Sequence, residues 1–454
     1  MWKVRLRSLL VWSSVPPLLA FYRLLYRLAI WISVMLFRQC KGIVAVYLCR
    51  GCAKGEITPG VSDIDFILIV GPEPTDRRPA EKAFLFLRRV SCGLIQGHPT
   101  FVQTEQDVLY RWTNSPHWRY RYQEGKSNWS LRYGRDVLST LPAITPMERR
   151  ASCFGEMHYW WMQFCDFMLQ HAHGREDAIS RHSICYKTVS EVLNVLHAMR
   201  TGEFCYSRSQ ALRREDSPLC RRLLQAHTLR LAPPDPALEE DVYRFLVAAF
   251  VDLWSTFPRE PFLVVYPGVE QVVEPAEPEG GLEKAQPPFR EIERHLLHAW
   301  GGKCRGLHLL KSASYQLQDW LLVIDTAPGS LPALADLERL VALRASLYSR
   351  QTPVPYFFLR VGQLVFPFTP AIPADFIRGV LTPATAPDVF LQLGEAPVYW
   401  TSHTKWYLTD WQRNRQWLTA LPLKQLQLEA IARSAEAGHV RYPLGLASLE
   451  GLRP

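Results

Sequence analysis

Two aspartates one residue apart, Asp63 and Asp65, head the apolar run Ile64 to Val70. Positions i and i+2 of a strand point to one face, so the two carboxylates project together from the start of an otherwise buried strand. Carboxylates that close repel each other unless a cation sits between them. Mg²⁺ takes carboxylate oxygens together with substrate phosphates, so the pair points to metal and phosphate. Upstream, Gly51, Cys52, Lys54, Gly55 and Ser62 lie between this run and an earlier one, Ile43 to Leu48. Glycines allow backbone N–H groups to approach a phosphate closely. The plainer alternative is an aspartate pair that only makes turn hydrogen bonds at a strand start.

Gly51-Cys52, Gly55 and Ser62-Asp63-Ile64-Asp65, running into an apolar strand, resemble the signature of the polymerase-β-like nucleotidyltransferases. The closest likeness is to its form in the aminoglycoside and minimal nucleotidyltransferases. The departure is Cys52, where the family usually has Ser; a thiol is the weaker hydrogen-bond donor. The resemblance implies a metal-dependent nucleotidyltransferase that moves a nucleoside monophosphate to a hydroxyl, with AMP from ATP as first choice. The acceptor, a small molecule or a protein, is not specified by any motif. In such an enzyme Asp63 and Asp65 hold Mg²⁺. The loop residues Gly51, Cys52, Lys54, Gly55 and Ser62 meet the phosphates. A third carboxylate comes from the strand after the first helix, where Glu105 is the candidate. Lys187, with Arg181, matches a basic position on the first helices of the C-terminal bundle that reaches the triphosphate. The superfamily also has inactive members, so a nucleotide-binding or scaffold protein of the same fold is the alternative.

These residues need a β-β-α-β frame. After the Ile64 to Val70 strand, Gly71-Pro72-Glu73-Pro74 marks a loop, and Arg77 to Val90 carries Ala83, Phe84, Leu87 and Val90 at helical spacing. A third strand is expected over Thr100 to Gln103, with Glu105 and Asp107 just beyond it. Tyr133-Gly134-Arg135-Asp136 looks like a segment that closes the catalytic domain in these enzymes. From Arg181 to Arg200 a helix is expected, ended by Gly202. Its polar stripe, Ser180, Ser183, Lys187, Glu191 and Asn194, is either a solvated face or part of the site.

The expected fold class is α+β, with five parts. Residues 1–42 form a helical segment, 43–140 a nucleotidyltransferase-fold mixed sheet with helices, and 145–257 a helical domain. Residues 267–288, rich in Pro, Glu and Gly, read as a linker, and 289–454 as a second α+β domain. Trp320 to Asp325, Ala333 to Tyr348 and Tyr356 to Val361 repeat the strand–helix–strand order of the first domain, so a degenerate duplicate is one reading and chance likeness the other. Leu408 to Ala437 reads as helical.

Charge is uneven. The first 55 residues carry nine Lys or Arg and no acid, so the whole formal charge of +9 lies there. The basic start and apolar run imitate an export signal, but a pair of helices beside the first strand is favoured. Peripheral contact with an anionic membrane through this basic, amphipathic stretch is the less favoured alternative. Between 111 and 135, Arg and Lys interleave with Trp and Tyr, a pattern that can stack bases or cover a domain rim with Arg stems. Nucleic-acid binding is not favoured. Ten irregularly spaced cysteines do not make a disulfide framework, so reduced thiols and a cytoplasmic location are expected. Cys49 and Cys52 have CxxC spacing, but no second pair answers them.

Overall fold

In a computed structural model, residues 9–11, 13–91, 93–96, 101–114, 116–169, 178–229 and 235–256 are described. From the rest, 271–272, 276–278, 294, 304–312, 320–326, 331–349, 356–361, 364–367 and 440–441 are described. The protein is α+β and divides into two compact units. One comprises Met1–Met157 with Asp177–Asp235, the other His158–Glu176 with Pro236–Pro454. Of the residues read as a helical domain, 145–257, those at 145–157 and 177–235 fall in the unit that holds the aspartates, and those at 158–176 and 236–257 in the other.

The first unit runs α1 (Pro16–Arg38), β1 (Ile43–Cys49), the single-turn α2 (Arg50–Ala53), β2 (Ile64–Val70), α3 (Pro74–Val90), β3 (Ile95–Gln96) and β4 (Val102–Thr104). It continues with α4 (Glu105–Asn114), α5 (Pro116–Asn128), β5 (Ser130–Gly134), the first half of α6 (Pro146–Leu169), α7 (Ala178–Thr201), α8 (Arg208–Arg214) and α9 (Pro218–Leu229). Pro16 opens α1, where its missing N–H has no helical partner to lose. β1 is antiparallel to β2 on one side and β5 on the other. β3 and β4 both pair parallel with β2, β3 level with its start and β4 with its end.

The period of two in β1 and β2 sorts their side chains. Val46, Leu48, Phe66, Leu68 and Val70 form one core with Tyr26, Ile30, Phe37, Phe84 and Leu87 of α1 and α3. The Phe37 ring lies 5.3 Å from Phe66 and 4.9 Å from Phe84, centroid to centroid. Asp65 belongs to the opposite face, with Tyr47 and Ile67. There the Tyr47 hydroxyl donates to Asp136 Oδ1 at 2.9 Å, which ties β1 to the segment after β5. Gly134 has φ +83°, and a Cβ on it would fall 1.8 Å from the Val44 carbonyl oxygen. Only glycine fits that close approach.

The first half of the basic-aromatic stretch is interior, while Lys126, Arg132 and Arg135 are exposed. Arg111, Arg119, Arg121, Trp112, Trp118, Tyr120 and Tyr122 are all buried. Arg121 pairs with Glu156 at 2.5 Å and with Glu124 at 3.2 Å, so its guanidinium meets acids of the protein itself.

In the second unit, Trp161 of α6 packs on Tyr243 of α10 (Pro236–Ser255), ring centroids 6.3 Å apart. β6 (Gln271–Val272), β7 (Ala276–Pro278), β8 (Cys304–Ser312), β9 (Trp320–Thr326), α11 (Leu334–Ser349), β10 (Tyr356–Val361), β11 (Leu364–Pro367) and β12 (Val440–Arg441) follow. The sheet order is β11-β10-β9-β8-β7, and β6 pairs with β12. Within the expected linker, the described residues 271–272 and 276–278 are paired as strands. β8 is antiparallel to β9, and β9 is parallel to β10 across α11. That is the connectivity of β1, β2, α3 and β4. The expected helical tail over Leu408 to Ala437 lies outside the described residues.

Candidate functional site

The loop from Arg50 to Asp65 is held by its own polar atoms. Arg50 turns the chain out of β1 with φ +55°, a backbone region that costs energy for a residue with a Cβ. Gly55 and Gly60 have φ +73° and +78°, which glycine takes without strain. Ser62 Oγ accepts from the Thr58 amide at 2.8 Å and donates to the Glu56 carbonyl at 3.4 Å. Tyr26 of α1 donates its hydroxyl proton to the Ser62 carbonyl at 2.7 Å. Cys52 Sγ donates to the Asp63 carbonyl at 3.1 Å. Burial, with Asp65 and Asp63 nearby, pushes the Cys52 thiol up to about 12, so it stays protonated and able to donate.

Several loop residues expected to meet phosphate are engaged within the protein. The Gly55 amide donates to the Cys52 carbonyl at 3.3 Å and the Glu56 amide to the Gly51 carbonyl at 2.8 Å. Lys54 Nζ forms a buried pair with Glu124 at 2.8 Å; burial opposes its charge, and Glu124 and Glu191 hold its ammonium above the ordinary lysine value. The glycine at 51 serves packing, because a Cβ there would stand 3.1 Å from the Glu56 carbonyl oxygen and 3.4 Å from Arg208 Nη1.

Asp63 is the residue before β2 and not part of it, while Asp65 is buried in the strand between Cys49 of β1 and Gln96 of β3. Burial raises the Asp65 carboxyl to about 6; Asp63 adds to this, and Arg50, Lys187 and Arg208 oppose it. Arg50 Nε lies 3.7 Å from Asp65 Oδ2. Lys187 comes from α7. Burial lowers its ammonium pKa, Asp63 and Asp65 pull it back up, and Arg208 and Arg50 lower it further. Arg208 opens α8 behind the Ser207 cap, whose Oγ accepts from the Gln210 amide at 3.1 Å. Its guanidinium is fixed by two contacts to Glu191, at 3.0 and 2.9 Å, and its amide donates to Glu56 at 2.9 Å.

Two carboxylates and three cations from four parts of the chain therefore act on one place: Asp63, Asp65, Arg50, Lys187 and Arg208. The polar stripe of α7 faces inward, with Glu191 on Arg208 and Asn194 accepting from the Cys205 amide at 2.7 Å. Arg181 is six residues before Lys187, which at about 100° per residue sets it roughly 120° around the helix; it is buried on a different face of α7.

Glu105 is a correction. Thr104 is paired with Val70, at the far end of β2 from Asp65. Five residues at about 3.3 Å each separate those ends by roughly 17 Å. Glu105 sits there, half-buried, in an ion pair with Arg135. The register of β4 against β2 removes it from the aspartates.

Arg208 and Arg50 were not anticipated from the sequence. Arg208 carried a faint signal, the Tyr206-Ser207 start of a helix after the Gly202 stop, but its partner Glu191 could be matched to it only once α7 and α8 were packed.

Among the described residues no group of three or more His, Cys, Asp or Glu side chains is placed to hold a metal. The donors at the site are two carboxylates, which suits Mg²⁺ shared with substrate phosphates better than an all-protein cage. Cys49 and Cys52 are free and buried, and each thiol donates to a backbone carbonyl. No family model matches the chain, and no curated protein matches it.

Proposed function

We propose that the first unit is a polymerase-β-like nucleotidyltransferase domain that binds a nucleoside triphosphate with Mg²⁺ at Asp63 and Asp65 and transfers its nucleoside monophosphate to an acceptor hydroxyl. AMP from ATP is the preferred donor. The observation that carries this is the buried Asp65 beside Asp63 at the start of β2, with Arg50 Nε 3.7 Å from its carboxylate and the charges of Lys187 and Arg208 near enough to act on it. The β-β-α-β order, with β5 on the other side of β1, supports the fold. The likeness of β8-β9-α11-β10 to that order supports a degenerate second copy in the C-terminal unit.

In this account Asp63 and Asp65 hold the metal, which when bound neutralises the triphosphate and favours in-line displacement. Arg208, braced by Glu191, and Lys187 orient the phosphates and take up charge on the departing pyrophosphate. The acceptor oxygen bonds to the α phosphorus as the α–β phosphoanhydride breaks, the hydroxyl proton passing to solvent water and pyrophosphate leaving. Tyr26 and Cys52 keep the Ser62–Asp63 backbone in place. Reduced thiols support a cytoplasmic setting.

A second reading, nucleotide binding without transfer, is favoured by the position of Glu105 and by the internal engagement of Lys54 and the Gly55 amide. Equilibrium binding of each labelled triphosphate separates both from an unrelated role. Mg²⁺-dependent binding that Asp65→Asn and Lys187→Ala weaken is expected; no binding of any triphosphate would defeat both.

A further inference from the structure

Helix α1 turns two unlike faces outward and inward. Tyr26, Ile30, Ser33 and Phe37 are buried against the sheet. Phe21, Leu24, Leu25, Leu28, Trp31 and Ile32 are exposed, Leu24 at 60% and Trp31 at 61%. At about 100° per residue these residues fill an arc of roughly 120° opposite the buried stripe. Arg23, Arg27 and Arg38 fall along one flank between the two, and all three are exposed. The neighbouring α3, on the same face of the sheet, leaves Leu85, Phe86 and Val90 exposed beside Arg89. An apolar surface of this extent on a folded unit marks a contact.

We propose that the outer faces of α1 and α3 dock on the surface of an anionic lipid bilayer, with α1 lying in the plane of the interface. Charge complementarity selects this occupant: α1 carries no acidic side chain, its Arg23, Arg27 and Arg38 are exposed along the apolar face, and Arg89 is exposed beside that of α3; anionic headgroups attract such a surface. An antiparallel symmetric dimer through α1 would set the basic flank of one copy, Arg23, Arg27 and Arg38, against that of the other. Pro16–Arg38 is long and apolar enough to cross a bilayer by length and composition. Crossing would strip Tyr26, Ile30 and Phe37 from the core and break the Tyr26–Ser62 hydrogen bond, so the helix lies on the membrane with its inner stripe still packed. Asp65 is on the opposite face of the sheet from α1 and α3, and the docking does not depend on what the aspartates do.

The test is co-flotation of the full chain with vesicles of phosphatidylcholine alone or with phosphatidylglycerol at one part in three. Flotation with the anionic vesicles, released by high salt, is expected. Arg23→Ser should lower the partition about fivefold, as should Arg27→Ser, and Leu24→Gln with Leu28→Gln should abolish it, while circular dichroism and Tm stay unchanged. Three results would each overturn the proposal: no flotation with anionic vesicles; resistance of the bound chain to carbonate extraction, which means a spanning helix; or a concentration-dependent dimer that the same substitutions dissolve without any lipid binding.

Discussion

Cys52 Sγ donates to the backbone carbonyl of Asp63 at 3.1 Å, so this buried thiol holds the backbone of an aspartate. Serine can make the same bond with a stronger donor, whereas alanine leaves the carbonyl unserved. Cys52→Ala should lower stability by about 1–2 kcal/mol, and Cys52→Ser by less, as read by urea unfolding. With its thiol pushed up to about 12 by burial, Cys52 should also resist alkylation at pH 8 in the folded protein. Equal losses for both variants would mean the bond contributes little.

The Tyr26 hydroxyl fastens the other side of the same turn. Tyr26→Phe keeps the ring in the core and removes only the donor. A loss of about 1 kcal/mol is expected, together with weaker Mg²⁺-triphosphate binding, because the Ser62–Asp63 turn loosens. A stability loss without any change in binding would show that the turn is held by its remaining contacts.

Glu124 sets an acid limit on the first unit. Burial works against its charge, but Lys54 and Arg121 pull its pKa from 4.5 down to about 2. A depressed carboxyl contributes stability above its unfolded pKa and loses that contribution as pH falls through the folded one. Stability should therefore decline from about pH 4.5 toward about pH 2. Glu124→Gln should flatten this slope and, by leaving Lys54 and Arg121 short of a partner, cost roughly 3–5 kcal/mol at pH 7. An unchanged acid slope in the variant would assign it to other groups.

Glu105 and Lys187 make a contrast. Glu105→Gln should leave triphosphate binding and any transfer unchanged, since it lies at the far end of β2. Lys187→Ala should weaken binding at least about tenfold, or ~1.4 kcal/mol. The reverse pattern would show that the site is built around the other end of the strand.

What could be read from the sequence was what depends on local pattern. The apolar run Ile64 to Val70 marked a strand, and Gly202 marked the end of α7. Gly134 was read only as part of a closing segment; its need for glycine comes from the approach of Val44. What depends on packing was not legible. That Arg111, Arg119 and Arg121 are buried depends on how α4, α5 and α6 pack, as in the Arg121–Glu156 pair, and not on the local pattern. Glu105 was misplaced because strand register cannot be read from one strand. Arg208 joins the site only because α8 brings it over Gly51.

The most direct measurement is transfer itself: the full chain incubated with each α-labelled triphosphate, Mg²⁺ and a cell extract, beside Asp63→Asn and Asp65→Asn. Label on an acceptor with the native chain, absent with either variant while both remain folded, is the predicted result. Transfer that survives in both aspartate variants would contradict the assignment of this site.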